Sequence, residues 1–170
     1  YAFEGCSGIT GIVIPESITK IEYCAFKGCT GLQKVEIQDL AAWCAIAFDS
    51  EKANPLQFAG NLYLNEQPIT NLVLPETVIT VGDHTFEGCN ITSVTLPAGV
   101  VKIGERAFHK CTNLKSVTLP DGFKSIGAEA FYGCEALTAI NLPHSVVTIG
   151  DYAFYRCLAL EEIYLYAGLK

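Results

Sequence analysis

The sequence predicts an α/β solenoid: a right-handed coil with a parallel β-sheet on its concave face and short helical turns on its convex face. Two observations carry this. Pro75, Pro97, Pro120 and Pro143 recur at intervals of 22, 23 and 23 residues, each opening the same apolar pattern. Half of the 170 residues are apolar and 17% are charged, against about 25% charged in an average soluble protein. A period of about 20–29 residues means that each unit buries its apolar face only against its neighbours.

The first fourteen residues carry the tail of a unit, Ala2-Phe3, Cys6, Ile9, Ile12 and Ile14. Because the chain opens at Tyr1 inside a repeat and contains no methionine, it is expected to be a segment of a longer protein. The unit 15–37 follows with Ile18, Ile21, Ala25-Phe26, Cys29, Leu32, Val35 and Ile37, and has Glu22 where later units have glycine. From Pro15 to Pro75 is 60 residues, one 23-residue unit plus 37, so 38–74 reads as an enlarged unit. In it Asp39 is the expected N-cap of a helix over Leu40-Ala41-Ala42-Trp43. Asn54-Pro55 marks a turn, and Leu62-Tyr63-Leu64 followed by Asn65-Glu66 predicts a hairpin into the strand at Ile69. The regular units are 75–96, 97–119, 120–142 and 143–165. In the second of these, Val117 and Leu119 close one strand by alternating with Ser116 and Thr118, and Pro120 ends it. Ile126, Ala130 and Cys134, at i, i+4 and i+8, suit a short helical turn. Gly127, in the column of Gly82, Gly104 and Gly150, suits a tight turn. Stacking places strands about 4.8 Å apart in one sheet, with right-handed crossings.

The pattern Pro-x-x-Val-x-x-Ile-Gly-x-x-Ala-Phe-x-x-Cys-x-x-Leu-x-x-Val-x-Leu resembles the BspA-like leucine-rich repeat over nearly the whole chain. The resemblance implies a leucine-rich-repeat horseshoe, a single solenoid over 1–170. It also implies a bacterial protein, extracellular or at the cell surface, that binds host matrix proteins or other cell-surface proteins. The matching columns are core positions, so they define the scaffold and not the ligand.

Composition removes other classes. A net charge of −7 with a pI near 4.9 lacks the basic footprint of a nucleic-acid binder. The longest weakly polar run, Leu40 to Phe48, has nine residues, whereas a membrane span needs about 20. Of eight cysteines, Cys6, Cys29, Cys89, Cys111, Cys134 and Cys157 share one column, read as small buried thiols in a crowded turn. No Cys-x-x-Cys pair suggests zinc, and no metal or cofactor is expected. Cys24 and Cys44, outside the column, are the candidates for a reactive or bridging pair. His84, His109 and His144 alternate across the repeats with unrelated residues, which reads as exposure, and no catalytic motif accompanies them. The acidic columns Glu16, Glu76, Asp121 and Asp83, Glu105, Asp151 read as a solvated face.

Binding residues are expected on the outward strand positions, a concave surface in a solenoid: Lys34, Asn71, Ser93, Ser116 and Glu162 in one column, Glu36, Thr95, Thr118, Asn141 and Tyr164 in the next. Trp43, Phe48 and Phe58 form either a local core, the favoured reading, or an aromatic binding hump. The functional expectation is a non-enzymatic protein-binding or adhesion module. A stalk presenting another domain is the first alternative, and a carbohydrate-active solenoid enzyme the second. Both flanks, Tyr1 to Ile14 and Ile163 to Lys170, are expected to fray or self-associate for want of a polar cap.

Overall fold

A computed structural model describes residues 1–165; the end of the expected C-terminal weak flank, from 166 to Lys170, lies outside them. The first part of the chain runs β1 (Gly11–Ile14), β2 (Lys20–Ile21), β3 (Lys34–Ile37), α1 (Leu40–Cys44), β4 (Ala47–Phe48), a 3₁₀ turn (Glu51–Ala53), α2 (Leu56–Ala59), β5 (Leu62–Leu64) and β6 (Gln67–Pro68). The second runs β7 (Asn71–Val73), β8 (Ser93–Thr95), β9 (Lys102–Ile103), β10 (Ser116–Thr118), β11 (Ser125–Ile126), β12 (Ala139–Ile140), β13 (Thr148–Ile149) and β14 (Glu162–Ile163). Together they make a β-solenoid of about seven turns.

The strand face is not one sheet. One sheet has the order β1-β3-β5-β6 and the other β14-β12-β10-β8-β7, and no ladder joins β6 to β7. All pairings on this face are parallel except β5 with β6, whose hairpin turns at Asn65 and Glu66 with φ of 50° and 66°. A second set of ladders, unforeseen in the sequence, runs along another side of the coil: β2 pairs with β4, and β9, β11 and β13 pair in parallel. Each is a two-residue strand, too short to show a period.

The turns opposite carry no helices in the regular units. His84, Phe86 and Gly88 donate their N–H groups to Glu105, Ala107 and His109 of the next rung at 2.8–2.9 Å, while Glu87 and Cys89 bond back to His84 and Phe86. Alternate amides are thus spent between rungs, which removes the i to i−4 bonds a helix requires. Inside, one phenylalanine per rung stacks on the next: Phe86, Phe108, Phe131 and Phe154 lie 5.4–5.5 Å apart and within 8° of parallel. Five cysteines of the column pack beside them, and the thiols of Cys29, Cys111, Cys134 and Cys157 donate to the phenylalanine carbonyl one rung back.

The glycine column has a different cause from the one expected. Gly104, Gly127 and Gly150 are not in the left-handed region. A methyl at Gly127 would stand 2.5 Å from the Gly104 carbonyl carbon and 2.6 Å from the Glu105 nitrogen. The column is kept free of side chains because rungs meet backbone to backbone there. A column of left-handed residues lies two positions on, Cys24, His84, Arg106, Glu129 and Tyr152, with φ between 53° and 60°, and Lys110 and Arg156 are left-handed further along the same turns. Holding such residues at positive φ costs of order 1 kcal/mol each and persists only where the surroundings dictate it.

Candidate functional site

The left-handed column and the one three residues later lie side by side on the turn face and form the most concentrated polar cluster among the described residues. Glu87, 1% exposed, is its centre. His84 Nδ1 lies 2.7 Å from one Glu87 oxygen; Arg106 Nη2 and His109 Nδ1 lie 2.8 and 3.1 Å from the other. Arg106 also reaches Glu51 at 2.6 Å and Glu129 at 3.2 Å. Burial pushes the Glu87 carboxyl up, but His109, His84 and Arg106 outweigh it and hold the group at about 2. The expectation that the histidines are exposed and unconstrained is therefore corrected for two of them: His109 is buried and His84 half-buried. Only His144 is exposed.

Chemically this arrangement holds charge in place. A general acid or base works best with a pKa near the ambient pH, and a carboxyl at about 2 is locked as the anion. Both terminal nitrogens of Arg106 are engaged by carboxylates, and its Nε is buried. Above Glu87 the column continues as an aromatic stack, with His109 4.8 Å from Tyr132 and Tyr132 5.1 Å from Tyr155. Among the described residues no group of three or more His, Cys, Asp or Glu is placed to hold a metal.

The strand face divides into separate patches. In the first, Lys34 Nζ pairs with Glu36 at 2.7 Å and sits 4.4 Å over the Tyr63 ring. Glu36, expected to face solvent, is buried because the hairpin turn closes over it: its Oε1 accepts the Glu66 N–H at 2.6 Å. The Lys34 ammonium and that N–H together lower its pKa. Tyr63 and Glu66 were not among the sequence candidates, since the irregular unit assigns them to no column.

In the second patch Asn71, Ser93 and Ser116 are neighbours on adjacent strands, as are Val73, Thr95 and Thr118. Asn71 Oδ1 accepts from the hydroxyls of Thr92 and Ser93 at 3.0 and 2.9 Å. Thr95, Ser116, Thr118 and Asn141 are exposed. At the far end Tyr164 donates to Glu162 at 2.8 Å, both exposed. Lys34 and Glu36 are separated from Asn71 by β5 and β6, so the ten candidates do not converge on one site.

The aromatic hump does not form. Trp43 is 1% exposed and donates its Nε1–H to the Thr85 carbonyl at 3.1 Å; Phe48 is buried against it, 5.2 Å between rings. Phe58 is half-buried. These residues fill the longer unit because a 37-residue span must supply its own core, and large rings do so with few side chains. Cys24 and Cys44 are both buried free thiols with no disulfide. Burial raises the Cys44 thiol to about 12, the opposite of a reactive cysteine.

A stack of parallel strands on one face, turns on the other and a core of one leucine, phenylalanine and cysteine set per rung defines a leucine-rich repeat solenoid. The chain belongs to the BspA type leucine rich repeat family, whose pattern matches residues 1–63 and 56–170 in six copies. No curated protein sequence matches it. Among solved structures, a leucine-rich repeat protein from Bacteroides ovatus is similar over 94% of this chain, with 24% identity and a TM-score of 0.64. A leucine rich cell surface protein from Faecalibacterium prausnitzii is similar over the same 94%, with 22% identity and a TM-score of 0.51. The chain spans 46% and 60% of the lengths of these two proteins, and the likeness to them is one of fold. No helix among the described residues is long and apolar enough to cross a membrane.

Proposed function

We propose that the chain, acting as one solenoid over 1–170, is a non-enzymatic protein-binding module of a secreted or surface-attached bacterial protein, with adhesion to host matrix or cell-surface proteins as its role. The observation that supports this is the exposed strand face beyond β7, where small polar side chains stand in register: Ser93 with Ser116 and Ala139, Thr95 with Thr118. Such a surface offers hydrogen bonds with little side-chain entropy to lose. That the similar Faecalibacterium prausnitzii protein is a cell surface protein supports the location.

The test is direct binding of the chain to immobilised matrix proteins and glycans, with a Ser116→Arg/Thr118→Arg variant in parallel. Saturable binding to a matrix protein that the variant loses supports the module and its face. Silence of the chain against every surface, with binding by a longer protein containing it, supports the stalk reading. Turnover of a glycan would instead favour the enzyme.

A further inference from the structure

Neither set of ladders crosses from the enlarged unit to the rung that follows it. On the strand face β6 ends one sheet and β7 begins another; on the other side β2 and β4 pair only with each other, and the next ladder starts with the bridge from Val81 to Ile103. Elsewhere the turn of one rung donates backbone N–H groups to the next, as Phe86 does to Ala107 and Phe108 to Ala130. At this level one backbone bond remains, from the Asn90 N–H to the Gly60 carbonyl at 2.7 Å, with the Asn90 amide donating to Asn61 Oδ1 at 3.0 Å beside it, and side chains supply the rest. The Thr85 carbonyl, equivalent to those of Ala107 and Ala130, accepts from the Trp43 indole at 3.1 Å and the buried Asn54 amide at 3.0 Å. Asn54 also donates to the His84 carbonyl at 2.6 Å. A shallow groove opens along the same level, lined by Cys44 and Ala45 on one side and by Val78, Ile79 and Thr80 on the other. Outside, one ion pair spans it: Arg106, from the second rung beyond, reaches over to Glu51 at 2.6 Å.

We propose that this level is a joint between two rigid stacks, residues 1–69 and 70–165, and that Arg106 is a strap which holds it closed through Glu51. Within each stack the ladders are continuous, so opening there breaks many backbone bonds at once. At the joint it breaks one backbone bond, a few side-chain bonds, one ion pair and the apolar contacts of a core that runs through both stacks, and local opening follows the path of fewest lost interactions. The strand face is then two panels whose relative tilt a bound partner can set.

Buried thiols report the opening. Cys44 lines the groove and Cys89 lies against the Leu62 backbone across it, while Cys111 and Cys134 are deep in the second stack. Alkylation at one neutral pH, read by peptide mass spectrometry, is compared in Glu51→Gln and Glu129→Gln. Each variant removes one carboxylate from Arg106, but only the first lies across the joint. In Glu51→Gln, Cys44 and Cys89 are expected to label about tenfold faster, with Cys111 and Cys134 unchanged; Glu129→Gln shows no such selectivity. Equal acceleration of all four thiols in Glu51→Gln, the same selectivity in Glu129→Gln, or no change in either overturns the joint. Should Glu51→Gln not fold, native-state hydrogen exchange of the unaltered chain decides: two cooperative blocks meeting at residues 69–70 support the joint, and a single block overturns it.

Discussion

Alanine at Gly127 and alanine at Gly82 are the same substitution in the same repeat column, and the structure separates their consequences. A methyl at Gly127 would meet two backbone atoms of the preceding rung at 2.5 and 2.6 Å, where ordinary contact begins near 3.4 Å. Backbone has no rotamer to yield, so the rungs must part, and overpacking of this kind costs about 3 kcal/mol, the upper end of the usual range. Alanine also lowers the entropy of the unfolded chain, offsetting about 0.5 kcal/mol. Gly127→Ala should therefore lose about 2.5 kcal/mol, which for a chain of this size lowers Tm by about 5–10 °C. A methyl at Gly82 meets only the Thr85 hydroxyl, at 3.3 Å. That hydroxyl bonds the Gly82 carbonyl and needs to shift by a few tenths of an ångström, so Gly82→Ala should be neutral within about 0.5 kcal/mol. Paired urea and thermal unfolding curves measure the difference. A loss in Gly82→Ala equal to that in Gly127→Ala would refute this reasoning, because the column would then need glycine for its conformation and not for contact.

The Glu87 carboxyl, held at about 2 against an ordinary 4.5, contributes stability that is complete above about pH 4.5 and lost as the pH falls toward 2, on the order of 3 kcal/mol. Urea midpoints should drop across that window in the unaltered chain and drop less in Glu87→Gln. Phe108, fully buried with stacked rings on both sides, should cost about 3–5 kcal/mol as alanine; Phe154, with a stacked ring on one side and half-buried, should cost less in the same unfolding assay. Among the column thiols, exposed Cys6 should react with an alkylating reagent in the native chain and half-buried Cys157 more slowly. Cys111 and Cys134, whose thiols burial pushes far up, should react only on denaturation.

How much was legible follows from what each feature needs. The core columns, the strands that close each unit and the hairpin in the enlarged unit rest on period and turn chemistry, and they stand where the residues placed them. The helical turns did not form, because Ile126, Ala130 and Cys134 can share a face in a helix or in a stacked turn, and spacing alone cannot tell the two apart. The second ladders were hidden in two-residue pieces such as Lys102-Ile103. Glu36 followed the alternation rule and still became buried, since the Glu66 turn that covers it belongs to the one unit without a repeat to compare.

The histidines show a more general reason. In a globular chain the interchange of His84, Arg106, Glu129 and Tyr152 in one column, and of Glu87, His109, Tyr132 and Tyr155 in another, suggests positions free to vary. In a stack, each column entry is the spatial neighbour of the next, so interchange must be read along the axis. Read that way, Glu87 precedes His109, Arg106 precedes Glu129, and His109 is followed by two tyrosines. Acid meets base at Glu87–His109 and Arg106–Glu129, and ring meets ring at His109–Tyr132 and Tyr132–Tyr155, which is the arrangement the distances report. Columns that repeat one residue specify the scaffold. Columns that change residue while keeping neighbours complementary are where this chain departs from its own repeat, and here they converge on Arg106, the residue that reaches Glu51 across the break in the ladders.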